Sequence, residues 1–134
     1  MRLRGCSMNL LRWLTQHEAD TDERTHADLE PLRLAGRRGE ALPLVWYEIE
    51  RMPGWRVVSR DLKAYTLHAI RTRALAQVDD VTLRLVSIQG ETWLHVRSAS
   101  RGRGGDFGRN RRNILELFSR LRQAGIAAKE SIPS

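Results

Sequence analysis

The sequence of 134 residues contains one cysteine, Cys6, which excludes an intrachain disulfide framework and any zinc site built from several cysteines. It also lacks an apolar run near the ~20 residues that a membrane-spanning helix needs, and its first residues do not follow the order of a signal peptide. These absences predict a soluble, cytoplasmic protein without a membrane span.

The motifs of several enzyme classes are absent as well. The sequence has no phosphate loop of the Walker type, no dinucleotide-binding G-x-G-x-x-G, no H-E-x-x-H and no nucleophile elbow. We therefore expect no cofactor and no bound metal, and we regard an enzyme as the less favoured class.

Arginine is abundant, and its distribution is uneven. The net charge is +7 at pH 7, and two lysines stand beside 21 arginines. Residues 97–122 contain eight arginines against Asp106 and Glu116, so most of the net charge lies in one fifth of the chain. Because guanidinium groups bind phosphate and carboxylate through paired hydrogen bonds, this segment predicts an anionic partner.

The amino-terminal third contains two segments with helical spacing. Apolar residues within residues 8–19 favour a short amphipathic helix, and those within residues 42–52 favour a second helix with Pro43 in its first turn. Between them, residues 20–39 are polar and interrupted by Pro31, Gly36 and Gly39, so we predict a loop there.

After Gly54 the apolar period changes to two, which predicts strands. The closing stripe over residues 114–121 predicts a helix, with Asn110 as its amino-terminal cap and Gly125 as its stop. Gln89-Gly90 fits a tight hairpin turn. The four predicted strands cover residues 55–60, 64–75, 81–88 and 92–97.

These elements predict an α+β fold, a four-stranded antiparallel meander with helices packed on one face in the order helix, four strands, helix. We divide the chain into a helix and polar lead-in over residues 1–40, an α+β domain over 41–125 and a tail over 126–134.

Residues 97–112, RSASRGRGGDFGRNRR, are the most unusual segment. A glycine-rich connection that leads into a helix exposes backbone N–H groups, and flanking arginines add charge-assisted hydrogen bonds. This pattern favours binding of an anionic small molecule or of an acidic protein surface. Alternatively, if nearby acids neutralise all the arginines, the segment is a structural staple.

The run R-S-A-S-R at residues 97–101, followed by Asp106, Gly108 and Asn110 and preceded by the paired acids of residues 79–80, resembles domain-of-unknown-function family 1499. The resemblance spans residues 42–124. It implies the fold type and a shared site, without an established activity. Asn113 stands here where the family pattern has an arginine.

The hypothesis assigns ligand contacts and supporting residues separately. The supporting set is Asp79, Asp80, His95, Asp106 and Arg112, in which the aspartates orient arginines and His95 shares a strand face with Arg97. The proposed anion contacts are Arg97, Ser98, Ser100, Arg101, Gly104, Gly105, Gly108 and Asn110.

Two alternatives of other classes stay open. The basic charge and the R-G-R-G-G run at residues 101–105 fit an RNA- or DNA-binding module, with Trp93 and Phe107 as stacking residues. A hydrolase-like enzyme would use His95 as the base with Ser98 or Ser100 as the nucleophile.

Overall fold

A computed structural model describes residues 26–74, 77–101 and 107–129 of the chain. The strands are β1 (His26–Asp28), β2 (Leu32–Leu34), β3 (Trp55–Asp61), β4 (Thr66–Arg73), β5 (Gln77–Ile88) and β6 (Glu91–Ser100). The helices are α1 (Arg38–Glu50) and α2 (Phe107–Gln123), and a short 3-10 helix covers Leu62–Ala64.

All six strands form one antiparallel sheet in the order β1, β6, β5, β4, β3. β2 also pairs with β6, further along the same edge as β1, so the sheet is five strands wide. The predicted α+β class and the meander from β3 to β6 are confirmed, and the sheet is larger than the four strands expected.

The two short strands correct the prediction of a loop over residues 20–39. β1 and β2 have three residues each, and Pro31 separates them. Segments this short contain too few alternating positions to produce a period-two signal. Their pairing with β6 fixes the start of the described chain to the edge of the sheet.

Several boundaries also differ from the sequence prediction. α1 begins four residues earlier than expected, so Pro43 lies in its second turn. β6 continues to Ser100, which places Ser98 and Ser100 in a strand and not in a loop. α2 begins at Phe107, so Asn110 is a helical residue and its assignment as the cap is wrong. The helix predicted over residues 8–19 lies outside the described residues.

The backbone confirms one predicted turn and one predicted helix stop. Gln89 and Gly90 both have positive φ angles, 53° and 81°, as the tight turn between β5 and β6 requires. Gly125, with φ of 78°, follows the end of α2.

The core lies between the helices and one face of the sheet, which we call the first face. Alternate residues of β4, β5 and β6 point toward the helices and are buried, as Leu67, Leu83 and Leu94 illustrate. Val45 and Ile49 of α1 and Ile114, Leu117 and Leu121 of α2 complete this core. Neither described helix has the length and apolar character that crossing a bilayer requires.

Candidate functional site

Polar side chains interrupt the core where β5 begins and β6 ends. Asp79 of β5 lies opposite Ser100 of β6, and Ser98 is two residues earlier on the same face. α2 packs its Asn110 and Asn113 against these strands, because each asparagine lies one turn before an apolar residue of the helical stripe. Asp79, Ser98, Asn110 and Asn113 are each 0% exposed.

Hydrogen bonds connect these buried groups. The Asn113 amide donates to Asp79 Oδ2 at 2.8 Å and to Ser98 Oγ at 3.0 Å. Ser98 Oγ donates to Asn110 Oδ1 at 2.7 Å, and Asn110 Nδ2 donates to Ser100 Oγ at 2.9 Å. Because a buried polar group without a partner costs about 1–3 kcal/mol, these bonds explain how polar side chains are accommodated in the core.

Arg109 adds a positive charge to the cluster. Its guanidinium donates to both carboxylate oxygens of Asp79, at 3.0 and 2.8 Å, and to Ser100 Oγ at 2.8 Å. Burial raises the pKa of Asp79, but the hydrogen bonds from Arg109 and Asn113 outweigh it, so the pKa lies below its ordinary value. Asp79 is therefore a carboxylate at neutral pH. We call these six residues the polar network; they are Asp79, Ser98, Ser100, Arg109, Asn110 and Asn113.

Arg73, at the end of β4, extends the polar network toward the surface. Its Nη2 donates to Asn113 Oδ1, and its buried Nε has no hydrogen-bond partner among the described residues. Burial lowers the pKa of Arg73, and the positive charges of Arg71 and Arg112 lower it further. Glu116 and Asp79 act in the opposite direction and raise this pKa, but they offset burial and the neighbouring cations only in part.

Arg71 is paired with the second acid of the site, Glu116 on α2. Arg71 Nε donates to Glu116 Oε1 at 3.0 Å, and the Trp55 indole N–H donates to the same oxygen at 3.0 Å. Among the described residues, the site thus contains four guanidinium groups, which we call the arginine cluster, against the two carboxylates of Asp79 and Glu116. The arginine cluster is Arg71, Arg73, Arg109 and Arg112.

The site residues predicted from the sequence fall into separate groups. Ser98, Ser100, Asn110 and Asp79 come together in the polar network. Arg112 is exposed on α2, and Gly108 is half-buried in its first turn. Gly104, Gly105 and Asp106 lie outside the described residues.

The remaining predicted residues lie on or near the other side of the sheet. Asp80, His95 and Arg97 project from the second face, opposite the helices, because side chains alternate along β5 and β6. Arg101 donates to both oxygens of Asp80, at 2.9 and 2.8 Å, in an exposed ion pair. The expected pairing of an aspartate with Arg101 is therefore present, whereas Asp79 pairs with Arg109.

The serine–histidine arrangement of the hydrolase alternative is wrong. Ser98 and Ser100 face the helices, and His95 faces away from them across the thickness of the sheet. His95 is 7% exposed, and its Nε2 has no hydrogen-bond partner among the described residues. Burial, with the nearby Arg84 charge, lowers the pKa of His95 to about 4. Among the residues with described positions, no three His, Cys, Asp or Glu side chains group as metal ligands would.

Sequence reasoning did not assign Arg73, Arg109 or Asn113 to the site. A signal for Asn113 was present, because extending the stripe of Leu117 and Leu121 back by one turn reaches it. Arg73 gave no such signal, since its role depends on β4 lying beside β5.

A separate cavity of about 530 Å³ lies at the start of α1. Arg37, Arg38, Tyr65 and Thr92 are among the residues that line it. The Glu40 carboxylate accepts a hydrogen bond from the Arg37 backbone N–H at 3.1 Å, and the Arg38 guanidinium lies 3.9 Å from the Tyr65 ring centre. The Glu40 carboxylate of the same chain therefore already offsets the partial positive charge at the start of α1.

The family model described as "Protein of unknown function (DUF1499)" matches residues 11–121. No curated protein and no solved structure matches the chain.

Proposed function

The chain belongs to the DUF1499 family of proteins of unknown function, and we propose that it binds an anionic small molecule, through a phosphate or carboxylate group, at the arginine cluster beside the start of α2. The observation that carries this proposal is the excess of positive charge there, where the described part of the chain places four guanidinium groups against two carboxylates. A bound anion offsets this excess.

The cluster offers donors of two kinds. Arg112 is exposed on α2, where an incoming oxyanion reaches it without rearrangement. Arg73 is half-buried, and its hydrogen bond to Asn113 holds the guanidinium toward α2. Because Arg presents a planar set of N–H donors, two such groups suit the oxygens of one phosphate or carboxylate.

The electrostatics of α2 favour the same ligand. The first turn of a helix carries partial positive charge, which acidic side chains ordinarily offset. The first turn of α2 contains no acid, and Arg111 and Arg112 add positive charge near it beside Arg109, which is paired with Asp79. Cations in this position are unfavourable for the helix, so a bound anion stabilises it.

The polar network has a positioning role in this proposal. Ser100 and Asp79 hold Arg109, and Ser98 and Asn110 hold α2 against β6. Gly104, Gly105 and Gly108 remain proposed positions for close approach of a ligand to the backbone, with Arg97 and Arg101 as outlying positive charges.

The experiment compares two arginine variants of one helix. Arg112→Gln removes a charge from the proposed site, and Arg122→Gln removes the same charge from an exposed position in the last turn of α2. Thermal unfolding is followed with inorganic phosphate, pyrophosphate and a tricarboxylate at constant ionic strength. A ligand at about 100 times its dissociation constant stabilises the wild type by ~2.7 kcal/mol, a shift of several degrees.

We expect Arg112→Gln to lose most of that shift and Arg122→Gln to keep it. Equal shifts in both variants, or none in the wild type, would refute the proposed site.

A third arm uses mixed-sequence single-stranded RNA at two salt concentrations. Tight binding that weakens steeply with salt, and equally in both variants, would support the nucleic-acid alternative in place of a localised anion site.

A further inference from the structure

The second face of the sheet, opposite the helices, carries its own apolar side chains. These are Ile70, Val78, Val86, Ile88 and Trp93. Ile70 is 9% exposed but lies outside the core between the sheet and the helices, and the other four are half-buried. The second face therefore differs from the polar, solvated face of a two-layer fold.

Both described helices pack on the first face, so no element of the described residues covers the second one. A sheet with apolar residues on both faces is usually covered on both. Three observations indicate what covers the second face. They are the point at which residues 1–25 enter the sheet, the length of that segment relative to the width of the sheet, and the charges on the two parts.

Residues 1–25 lead directly into β1, at the edge of the sheet beside β6. A helix over residues 8–19 is about 18 Å long. A sheet five strands wide measures about 19 Å between its outer strands, so such a helix is long enough to cross it. The six residues 20–25 span up to about 20 Å when extended, which allows the chain to turn from β1 onto either face.

The charges on the two parts are complementary. Residues 18–23 contain four acids, Glu18, Asp20, Asp22 and Glu23, and no basic residue. On the second face Arg84 and Arg97 flank His95, and Asp28 of β1 lies in register with Arg97, so two arginines stand against one acid next to the apolar side chains. An amphipathic segment followed by acids matches this surface in both respects.

The family match provides an independent argument. It begins at residue 11, inside the amphipathic segment and fifteen residues before β1. The apolar residues Leu11, Trp13 and Leu14 thus belong to the pattern that characterises the domain.

We propose that residues 8–19 form an amphipathic helix of this same chain that packs across the second face. Leu10, Leu11, Trp13 and Leu14 contact the apolar side chains there, and residues 18–23 lie near Arg84 and Arg97. The domain is then a three-layer structure, with α1 and α2 on one side of the sheet and the amino-terminal helix on the other.

The single cysteine provides the first test. A nitroxide attached to Cys6 of the full chain is expected to broaden the methyl resonances of Ile70 and Val86 on the second face. Ile49 and Ile114, in the core on the first face, are the matched control and should broaden less. Equal broadening of the two sets, or none on the second face, overturns the proposal.

Matched substitutions provide the second test. Val86→Glu places a charge within the second face, and Val58→Glu places one on an exposed position of β3. We expect Val86→Glu to accelerate tryptic cleavage after Arg12 by at least about tenfold, because the docked helix protects this bond, while Val58→Glu leaves the rate unchanged. Methyl spectra of Ile49 and Ile114 establish that the core stays folded in both variants. Unchanged cleavage in a folded Val86→Glu protein overturns the proposal.

Two other occupants are outcomes of the same experiments. Labelled and unlabelled chains are mixed, and broadening that passes only between chains means that a second copy covers the face. Protection of Arg12 that requires vesicles containing anionic lipid means that the segment binds a membrane surface. Either result overturns the proposal that the segment covers its own sheet.

Discussion

The two faces of β5 and β6 bury ionisable side chains in opposite ways. On the first face Asp79 keeps its charge, because Arg109 and Asn113 donate hydrogen bonds to it. On the second face His95 is buried beside Arg84, its Nε2 has no hydrogen-bond partner within the described part of the chain, and its pKa of about 4 keeps it neutral. The cost of burying an ionisable group is thus offset by an ion pair at Asp79 and is avoided by loss of the charge at His95. The two arrangements are therefore destabilised under different conditions.

The largest expected effect comes from removing the paired charge. Asp79→Ala leaves the Arg109 guanidinium, whose side chain is 13% exposed, without its carboxylate, and breaking a buried pair in this way costs about 3–5 kcal/mol. Chemical denaturation measures the free energy of unfolding. Asp80→Ala is the control, because the neighbouring acid belongs to an exposed ion pair. Similar losses in the two variants would mean that the polar network does not stabilise the first face.

The pH dependence of stability tests whether His95 is neutral in the folded protein. Between pH 6.5 and about 4 the unfolded chain binds a proton at the histidine ordinary pKa while folded His95 does not, so stability falls as the pH decreases. The loss reaches at most about 3 kcal/mol, and most of it should disappear in His95→Gln. His68→Gln, at an exposed position of β4, is expected to retain the loss. An unchanged pH profile in His95→Gln would contradict a buried, neutral imidazole.

The contribution of Asp79 to stability is lost at a lower pH than that of His95. Its folded pKa lies below that of the unfolded chain, so its contribution is complete above the ordinary carboxyl value of about 3.9 and is lost as the pH falls through the lowered value. The two faces are therefore separable by titration. The histidine contribution decreases first and that of the carboxylate afterwards.

A smaller effect is expected from a single hydroxyl of the polar network. Ser98→Ala removes a donor from Asn110 and an acceptor from Asn113, both 0% exposed, and costs about 2 kcal/mol. Ser59→Ala, at an exposed position of β3, should change the stability little. Equal unfolding midpoints for the two variants would argue that Asn110 and Asn113 find other partners.

The smallest effect concerns Arg101. Its ion pair with Asp80 is exposed to solvent, where such pairs contribute little. Arg101→Ala should therefore unfold at nearly the wild-type denaturant concentration. A marked loss of stability would instead mean that the R-S-A-S-R segment acts as a staple through its second arginine.

Much of the fold could be predicted because its signals are local. The helical stripe of α2 and the alternation along β5 depend on the hydrophobic period, and the Gln89-Gly90 turn depends on glycine. β1 and β2 are defined instead by their pairing with β6, a contact between residues about 60 to 70 positions apart. No local pattern of three residues carries that information.

The candidate site was predictable only in part. Ser98, Ser100 and Asn110 were identified from the motif, but their burial was not, because the prediction ended β6 at residue 97. Extending that strand by three residues places the serines on alternate first-face positions and His95 on the other face. Arg73 enters the site from β4 through strand pairing alone.

The end strand β3 has a consequence for self-association. Within the described residues no strand pairs with the outer edge of β3, and another extended chain can join an exposed edge of this kind, the first step toward aggregation. The register between β3 and β4 shifts between Val57 and Ser59, and Arg56, Arg60 and Asp61 lie along the strand. Irregular pairing and charge both discourage the addition of a further strand. The same seven residues that begin the meander thus carry two features that oppose its extension by a second molecule.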